Sequence, residues 1–323
     1  MEYTNLGRTG LRVGVAGLGC GGSSRLGLGV GGDMARAVGI IRRAVDLGVN
    51  FLDTAKSYGT EEVLGRALRK IPRDSVVVST KFNAHKGKRM IPADEVVAAL
   101  HDSLRIMGTD CVDLFQLHGV SIDAYDHAVG EIYPALTAER DKGNLRFIGI
   151  TETAPKDHEQ IMLRRALDDD YWDVMMLGIN MMNHNARAEI LPRALENNIG
   201  TLAMFVVRSL FSAPDRLRAG MITLADEGKI SRALADQDGP LDFLIHPGGA
   251  RSVIDAAYRF VRHQPGIDVV LFGTGNPDHL ASNIESILAP PLPADDVQKL
   301  RDLFGHLKGV GLDFPSTYTP PPE

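Results

Sequence analysis

FLDTAKSYGTEEVLG, residues 51–65, changes character twice within a few positions. An apolar run stops at Asp53, short polar residues lead to Tyr58, and Thr60-Glu61-Glu62 opens a segment of helical apolar spacing. This reads as a buried strand handing over to a helix, with Thr60 placed to cap it and two acids suited to its positive end. A strand that ends on a carboxylate with a phenol just beyond it needs a reason, and the rest of the chain supplies one.

The same pattern recurs. Short apolar runs ending near a polar residue predict strands at 13–19, 49–54, 75–81, 111–118, 145–151, 172–180, 200–207 and 267–273. Between them lie segments whose apolar positions repeat at three and four, and a last helical pair falls near 277–288 and 294–307. Glycines in GVN, GTD, GNL and IGT stand where left-handed residues end helices before the next strand. Eight strands alternating with helices fit one closed (β/α)8 TIM barrel, a fold of about 250 residues plus insertions, and we read 1–323 as a single domain. The competing reading is an open doubly wound sheet. Against it, GLGCGGSS (17–24) is glycine-rich without being a G-x-G-x-x-G run that opens a helix.

Two regions fall outside the repeat. MEYTNLGRTGLRV alternates around a glycine turn and predicts an N-terminal hairpin closing the barrel bottom. Residues 209–249 form a long loop insertion after the seventh strand, on the side where barrel enzymes keep their sites. The tail PSTYTPPPE is expected to be extended or disordered.

With 44% hydrophobic and 24% charged residues, the chain has enough apolar material for a large core. Its net charge of -6 offers no basic stripe for nucleic acid and no polybasic patch for a membrane, so small diffusible partners are favoured. Cys20 and Cys111 are too few for a disulfide framework or a cysteine-rich zinc site. With no signal peptide and no apolar run near ~20 residues, the expectation is a soluble cytoplasmic protein. Oligomeric state is not legible.

In a barrel the carboxyl ends of the strands share one mouth. Asp53, Lys81 and His118 end the second, third and fourth strands, and Tyr58 leaves the second towards the same place. Singly these are a loop cap, a rim phenol, a surface charge and a core histidine. Together, ionisable groups ending consecutive apolar strands are costly unless paired, which makes a functional cluster the simpler account. The types suggest proton transfer at a carbonyl or alcohol oxygen. Tyrosine titrates near ~10, a neighbouring ammonium lowers that, Asp53 holds the ammonium, and a neutral His118 orients the oxygen. A second His and a paired carboxylate are missing from His118, so no metal site is expected.

The chain resembles the aldo-keto reductase family in NLGRTGLRV, GLGCGG, NFLDTAKSYGTEEVLGRAL, VVVSTK, SLRIMGTDCVDLFQLH, GNLRFIGIT and GTGNPDHLASN. Within it the chain is most similar to the sugar and small-aldehyde dehydrogenases of the L-galactose dehydrogenase-like branch. The resemblance implies NAD(P)-dependent hydride transfer to or from a small aldehyde, ketone or sugar. It makes Asp53, Tyr58, Lys81 and His118 the catalytic tetrad, with Tyr58 as general acid in reduction and base in oxidation. It also implies cofactor contacts at Gly19, Cys20, Gly21, Asp53, Thr151, Met204, Gly273, Thr274, His279 and Asn283. Several family positions differ: Thr151-Glu152 replaces Ser-Asn, Met176 replaces Gln, and Met204 beside Phe205 stands where an aromatic stacks. Gly273 and His279 occupy places that carry Lys and Arg in NADP-preferring relatives, so the expectation leans to NAD, with Arg208 a possible source of charge. Two rivals stay open: a Schiff-base aldolase using Lys81, and a catalytically weak nucleotide-binding regulatory subunit on the same fold.

Overall fold

The computed structural model describes residues 1–312, so the expectation for the tail at 315–323 lies outside the described residues. Strands β1 (Tyr3–Asn5) and β2 (Arg12–Gly14) form an antiparallel hairpin. Eight parallel strands then close a barrel: β3 (Ala16–Gly19), β4 (Phe51–Asp53), β5 (Val77–Asn83), β8 (Val112–Val120), β9 (Leu145–Glu152), β10 (Val174–Gly178), β11 (Gly200–Met204) and β12 (Val269–Phe272). A small hairpin, β6 (His85–Lys86) with β7 (Arg89–Met90), rises after β5. Among the described residues no helix is long and apolar enough to cross a membrane.

The helices are α1 (Met34–Asp46), α2 (Glu61–Leu68), α3 (Ala93–Met107), α4 (Ile122–His127), α5 (Tyr133–Asp141), α6 (Ile161–Ala166), α7 (Asn185–Glu196), α8 (Arg208–Ser212), α9 (Pro214–Asp226), α10 (Arg232–Ala235), α11 (Val253–Arg262), α12 (Asp278–Leu288) and α13 (Ala294–Phe304). A π-helical turn over Ala128–Ile132 joins α4 to α5. α1 shows the logic of the outer ring. Asp33 caps it by accepting from the Arg36 N–H at 2.8 Å, and Ala37, Ile40, Ile41 and Ala44 make one buried stripe against the strands.

Several sequence expectations need correction. The run 13–19 is two strands, because Gly14 ends the hairpin and Ala16 begins the barrel. The seventh strand stops at Met204 rather than 207, since Phe205 takes a left-handed backbone at φ 64°. The connection after it is long, as expected, and it is folded into α8, α9 and α10. Of the four glycines read as helix stops, Gly48, Gly108 and Gly143 have positive φ, whereas Gly200 does not. Asn198 takes the left-handed position after α7, and Gly200 is small for another reason: a β-carbon there would stand 2.8 Å from Leu6.

That contact belongs to the barrel floor. Leu6, Leu11 and Val13 of the hairpin join Phe51, Val77, Leu114, Val174, Leu202 and Val269, residues at or near the amino ends of the strands, in one apolar cluster inside the barrel. Polar ties hold the hairpin there. The Asn50 side chain accepts from Gly14 N–H at 2.7 Å and donates to Arg12 C=O at 2.9 Å, and Arg8 N–H donates to Asn198 C=O at 2.6 Å. The centre of the floor is therefore apolar, and the ionisable groups of the candidate site lie at the opposite mouth. Leu6 is 0% exposed, so Leu6→Ala is expected to cost about 2–5 kcal/mol. Equilibrium urea unfolding measures this, and a loss under about 1 kcal/mol would show that the hairpin does not seal the floor.

Candidate active site

Strand register brings the mouth together. Asp53 is the Cα partner of Ser79, and Lys81 of Gln116, so the inward faces of β4, β5 and β8 present Asp53, then Ser79 and Lys81, then Gln116 and His118. Lys81 is 0% and Asp53 3% exposed. The Lys81 ammonium donates to Asp53 Oδ1 at 2.8 Å, to Asp53 Oδ2 at 2.7 Å and to Thr54 C=O at 2.7 Å. Those three acceptors use its three hydrogens. Asp53 accepts further from the Ser79 hydroxyl at 2.9 Å and the Gln116 amide at 3.4 Å, while Gln116 also donates to Ser79 Oγ at 2.8 Å.

The charge state follows. Burial alone would lower the Lys81 pKa, but the adjoining Asp53 carboxylate raises it and the balance is upward, so the lysine stays charged. Burial pushes the Asp53 carboxyl up while Lys81 and Ser79 pull it back.

Tyr58 reaches this pair over a 3-10 turn, Lys56–Tyr58, that ends on left-handed Gly59 at φ 71°. Its hydroxyl lies 3.4 Å from His118 Nε2, the two rings meet edge to face at 87°, and Lys81 Nζ is 5.1 Å from the phenol centroid. Lys81 lowers the phenol pKa as expected, but burial outweighs it and Asp53 adds to burial, so the net shift is upward. The phenol holds its proton. Burial, seconded by Lys81, drives His118 down to about 3, so the imidazole is neutral at pH 7. His118 Nδ1 is buried without a partner. Placing the one ring hydrogen on Nε2 avoids stranding a buried donor and turns an N–H towards the phenol side of the mouth.

The other sequence candidates fall into different places. Cys20 belongs to the outer apolar core; its thiol is buried and pushed up by burial, and what it gives the mouth is a backbone N–H bonded to Asp53 C=O at 2.8 Å. Thr151 is 1% exposed, and its hydroxyl accepts from Gly119 N–H at 2.7 Å. Glu152, on the other face of β9, accepts from Gly178 N–H and Gln160, and burial raises it to about 8. Met176 and Met204 belong with the apolar cluster inside the barrel. Gly19 and Gly273 approach closely, a β-carbon on Gly273 standing 3.1 Å from Gly19 C=O. The Thr274 hydroxyl is used by Asn276, donating to its C=O at 3.1 Å and accepting from its N–H at 2.9 Å. His279 and the half-buried Asn283 lie on α12, His279 exposed in its first turn. Thr60 precedes α2 without capping it: its hydroxyl bonds that of Thr54 at 2.9 Å.

Three participants escaped the sequence reading. Ser79 and Gln116 sit two residues before Lys81 and His118, so the period of a strand would have placed them on the same inward face. Phe205 was seen only as a neighbour of Met204; its ring lies under the Arg208 guanidinium at 4.5 Å and 3.4 Å from where a β-carbon on Gly178 would be.

The sequence pattern of the Aldo/keto reductase family matches residues 18–304. L-galactose dehydrogenase from Arabidopsis thaliana is 37% identical over 158 residues, 47% of this chain and 48% of that one, so the match spans about half of that relative. Aldo-keto reductase YhdN from Bacillus subtilis is 27% identical and covers 87% of each chain. The solved aldo-keto reductase AKR11C1 from Bacillus halodurans, in its holo form, superposes with TM-score 0.70 at 23% identity, over 94% of this chain and 96% of that one. At that identity the likeness supports the fold.

An uncompensated buried ammonium is expensive, so Asp53→Asn is expected to destabilise the chain by about 3–5 kcal/mol. Adding Lys81→Met should restore most of that loss, because the buried charge stranded by the first change is then gone. Urea unfolding of the two variants checks the pair, and an unchanged midpoint in Asp53→Asn would refute its structural weight.

Proposed function

The chain belongs to the aldo/keto reductase family of oxidoreductases, which use NAD(P)H, and from that premise we propose that it interconverts a small aldehyde, ketone or sugar carbonyl and its alcohol. The observation that carries the reading is the Tyr58 hydroxyl 3.4 Å from neutral His118 Nε2, beside a Lys81 ammonium fixed by Asp53. Two neutral hydrogen donors converge where one substrate oxygen would sit. The bound nicotinamide supplies or takes the hydride. Tyr58 O–H gives its proton to the carbonyl oxygen in reduction and takes it back from the alcohol in oxidation, while His118 N–H holds that oxygen in line. Lys81 stabilises the phenolate that Tyr58 becomes, and Asp53 keeps Lys81 charged and in place.

The mouth fits a nicotinamide nucleotide in several respects. Close glycine approaches at Gly19–Gly273 and Gly27–Gly275 leave backbone bare on one flank, the latter bringing a β-carbon on Gly275 within 2.8 Å of Gly27 Cα. Phe205, half-buried after β11, offers an aromatic face, and Arg208 a nearby cation. We assign the ring platform to Phe205 in place of Met204. For the adenosine end, Thr274 has spent its hydroxyl on Asn276, Gly273 has no side chain, and His279 is the nearby imidazole, which supports NAD over NADP.

A sugar substrate is favoured by the partial similarity to L-galactose dehydrogenase. The aldolase reading loses ground on one fact: the Lys81 nitrogen is wholly buried with all three hydrogens engaged, so it offers no lone pair to a carbonyl.

Tyr58→Phe is expected to lower turnover by about 10²–10⁴-fold while nucleotide affinity stays near its original value. Absorbance at the reduced-nicotinamide band against sugar and aldehyde panels checks this, and near-normal turnover would sink the role of Tyr58. His279→Arg is expected to move the NADP-to-NAD ratio of kcat/KM upward by about tenfold, the worth of one charge-assisted hydrogen bond. An unmoved ratio would mean that this turn does not set the preference.

A further inference from the structure

The phenol ring of Tyr58 is confined on three sides. His118 stands edge-on with centroids 5.5 Å apart, and the Lys81 ammonium lies 5.1 Å from the ring centre. The third side is the bare backbone of Gly21. A β-carbon there would lie 2.5, 2.7 and 2.8 Å from Cε2, Cδ2 and Cζ of the phenol, well inside the 3.5–4.0 Å at which carbons rest. Gly21 is absent from the residues with positive φ, so its backbone conformation does not demand glycine. The space does. Its neighbour Gly22 is the reverse case, with φ 73° and nothing within 4 Å of an added β-carbon.

We infer that Gly21 is a positioning residue for proton transfer: the absence of a side chain there sets how deep the Tyr58 ring sits, and with it the reach of the hydroxyl towards His118 and Lys81. This rests on the reading of Tyr58 as acid and base, and it differs from the cofactor contact that family resemblance gives Gly21. The backbone before Gly21 is pinned, because Cys20 is buried and its N–H donates to Asp53 C=O at 2.8 Å. Tyr58 hangs from a short turn at the rim and is only partly buried. When the two collide, the ring moves. Clearing the overlap takes about an ångström, and a displacement of that size at a reacting group costs on the order of 10²-fold in rate. The displacement also changes the distance between the phenol and the Lys81 ammonium, the one influence that lowers its pKa.

The test uses the full chain with Gly21→Ala, Gly22→Ala, Tyr58→Phe and the Gly21→Ala/Tyr58→Phe double variant. NADH affinity is read by fluorescence titration, and kcat is followed against pH in the oxidative direction. The expected result for Gly21→Ala is a kcat about 100-fold lower, a shifted limb where kcat rises with pH, and NADH affinity within about threefold of the original. In the Tyr58→Phe background Gly21→Ala should add little, since both act through one proton. Gly22→Ala, strained by its φ of 73° and not by the phenol, should lose stability while keeping the original pH profile. An unchanged kcat and profile in Gly21→Ala overturns the inference. So does a loss confined to NADH affinity, a fully multiplicative loss in the double variant, or a Gly21→Ala chain that does not fold, because the phenol and not the barrel is inferred to give way. If Tyr58→Phe itself keeps its turnover, the acid–base reading has failed, and that outcome is distinct from a failure at Gly21 alone.

Discussion

An ammonium with no exposure to water has to be matched at hydrogen-bond distance, and the upper half of this barrel is arranged around that requirement. Lys81 meets both oxygens of Asp53 and the Thr54 carbonyl, while Ser79 and Gln116 complete the carboxylate. All of it depends on register. The pairings Asp53↔Ser79 and Lys81↔Gln116 put these side chains on one face, and a slip of one residue in either strand would send a charge into the apolar layer between strands and helices. The floor contributes from below. By filling the amino ends of the strands with Leu6, Leu11, Val13 and their partners, the hairpin keeps water from reaching the pair through the barrel.

Much of this was legible in the chain because a (β/α)8 barrel converts sequence period into position. Each strand ends close to where its apolar run breaks, so strand period alone brings Asp53, Lys81 and His118 to one mouth. What failed did so for local reasons. The run 13–19 has no polar break, so nothing in it shows that Gly14 and Ala16 serve different sheets. The loss of a strand at Phe205 depends on a backbone turn that hydrophobicity does not encode. The Asp, Arg, Gly and Pro content of 209–249 reads as a loop, yet Leu217, Met221 and Leu224 recur at helical spacing and are buried in α9. Gly21 was legible as glycine but not as the neighbour of a ring 37 positions away, since that proximity exists only after the barrel closes.

The electrostatics of the four residues are economical. One carboxylate and one ammonium cancel, and the two groups that face the open side, Tyr58 and His118, are both neutral hydrogen donors. A site of that kind suits an oxygen that carries little charge at rest and more as it reacts, which is the behaviour of a carbonyl under hydride attack. The upward shift of the phenol belongs to the same design. On the proposed role of Tyr58, a proton held firmly at rest is available for reduction, and in oxidation the nearby Lys81 charge offsets the cost of leaving the oxygen bare.

The end of β11 shows a second place where local preference yields to arrangement. Phe205 and Arg208 both adopt left-handed backbones, at φ 64° and 45°, conformations that cost of order 1–3 kcal/mol each for residues other than glycine. A glycine at either position would relieve that strain, so the side chains have to be what the fold retains. Phe205 lies against side-chain-free Gly178 on one side and the Arg208 guanidinium on the other, an aromatic face and a cation held together at the rim. The strain is concentrated in one short stretch at the carboxyl end of β11. The chain then passes directly into α8, whose first residue is Arg208, and α9.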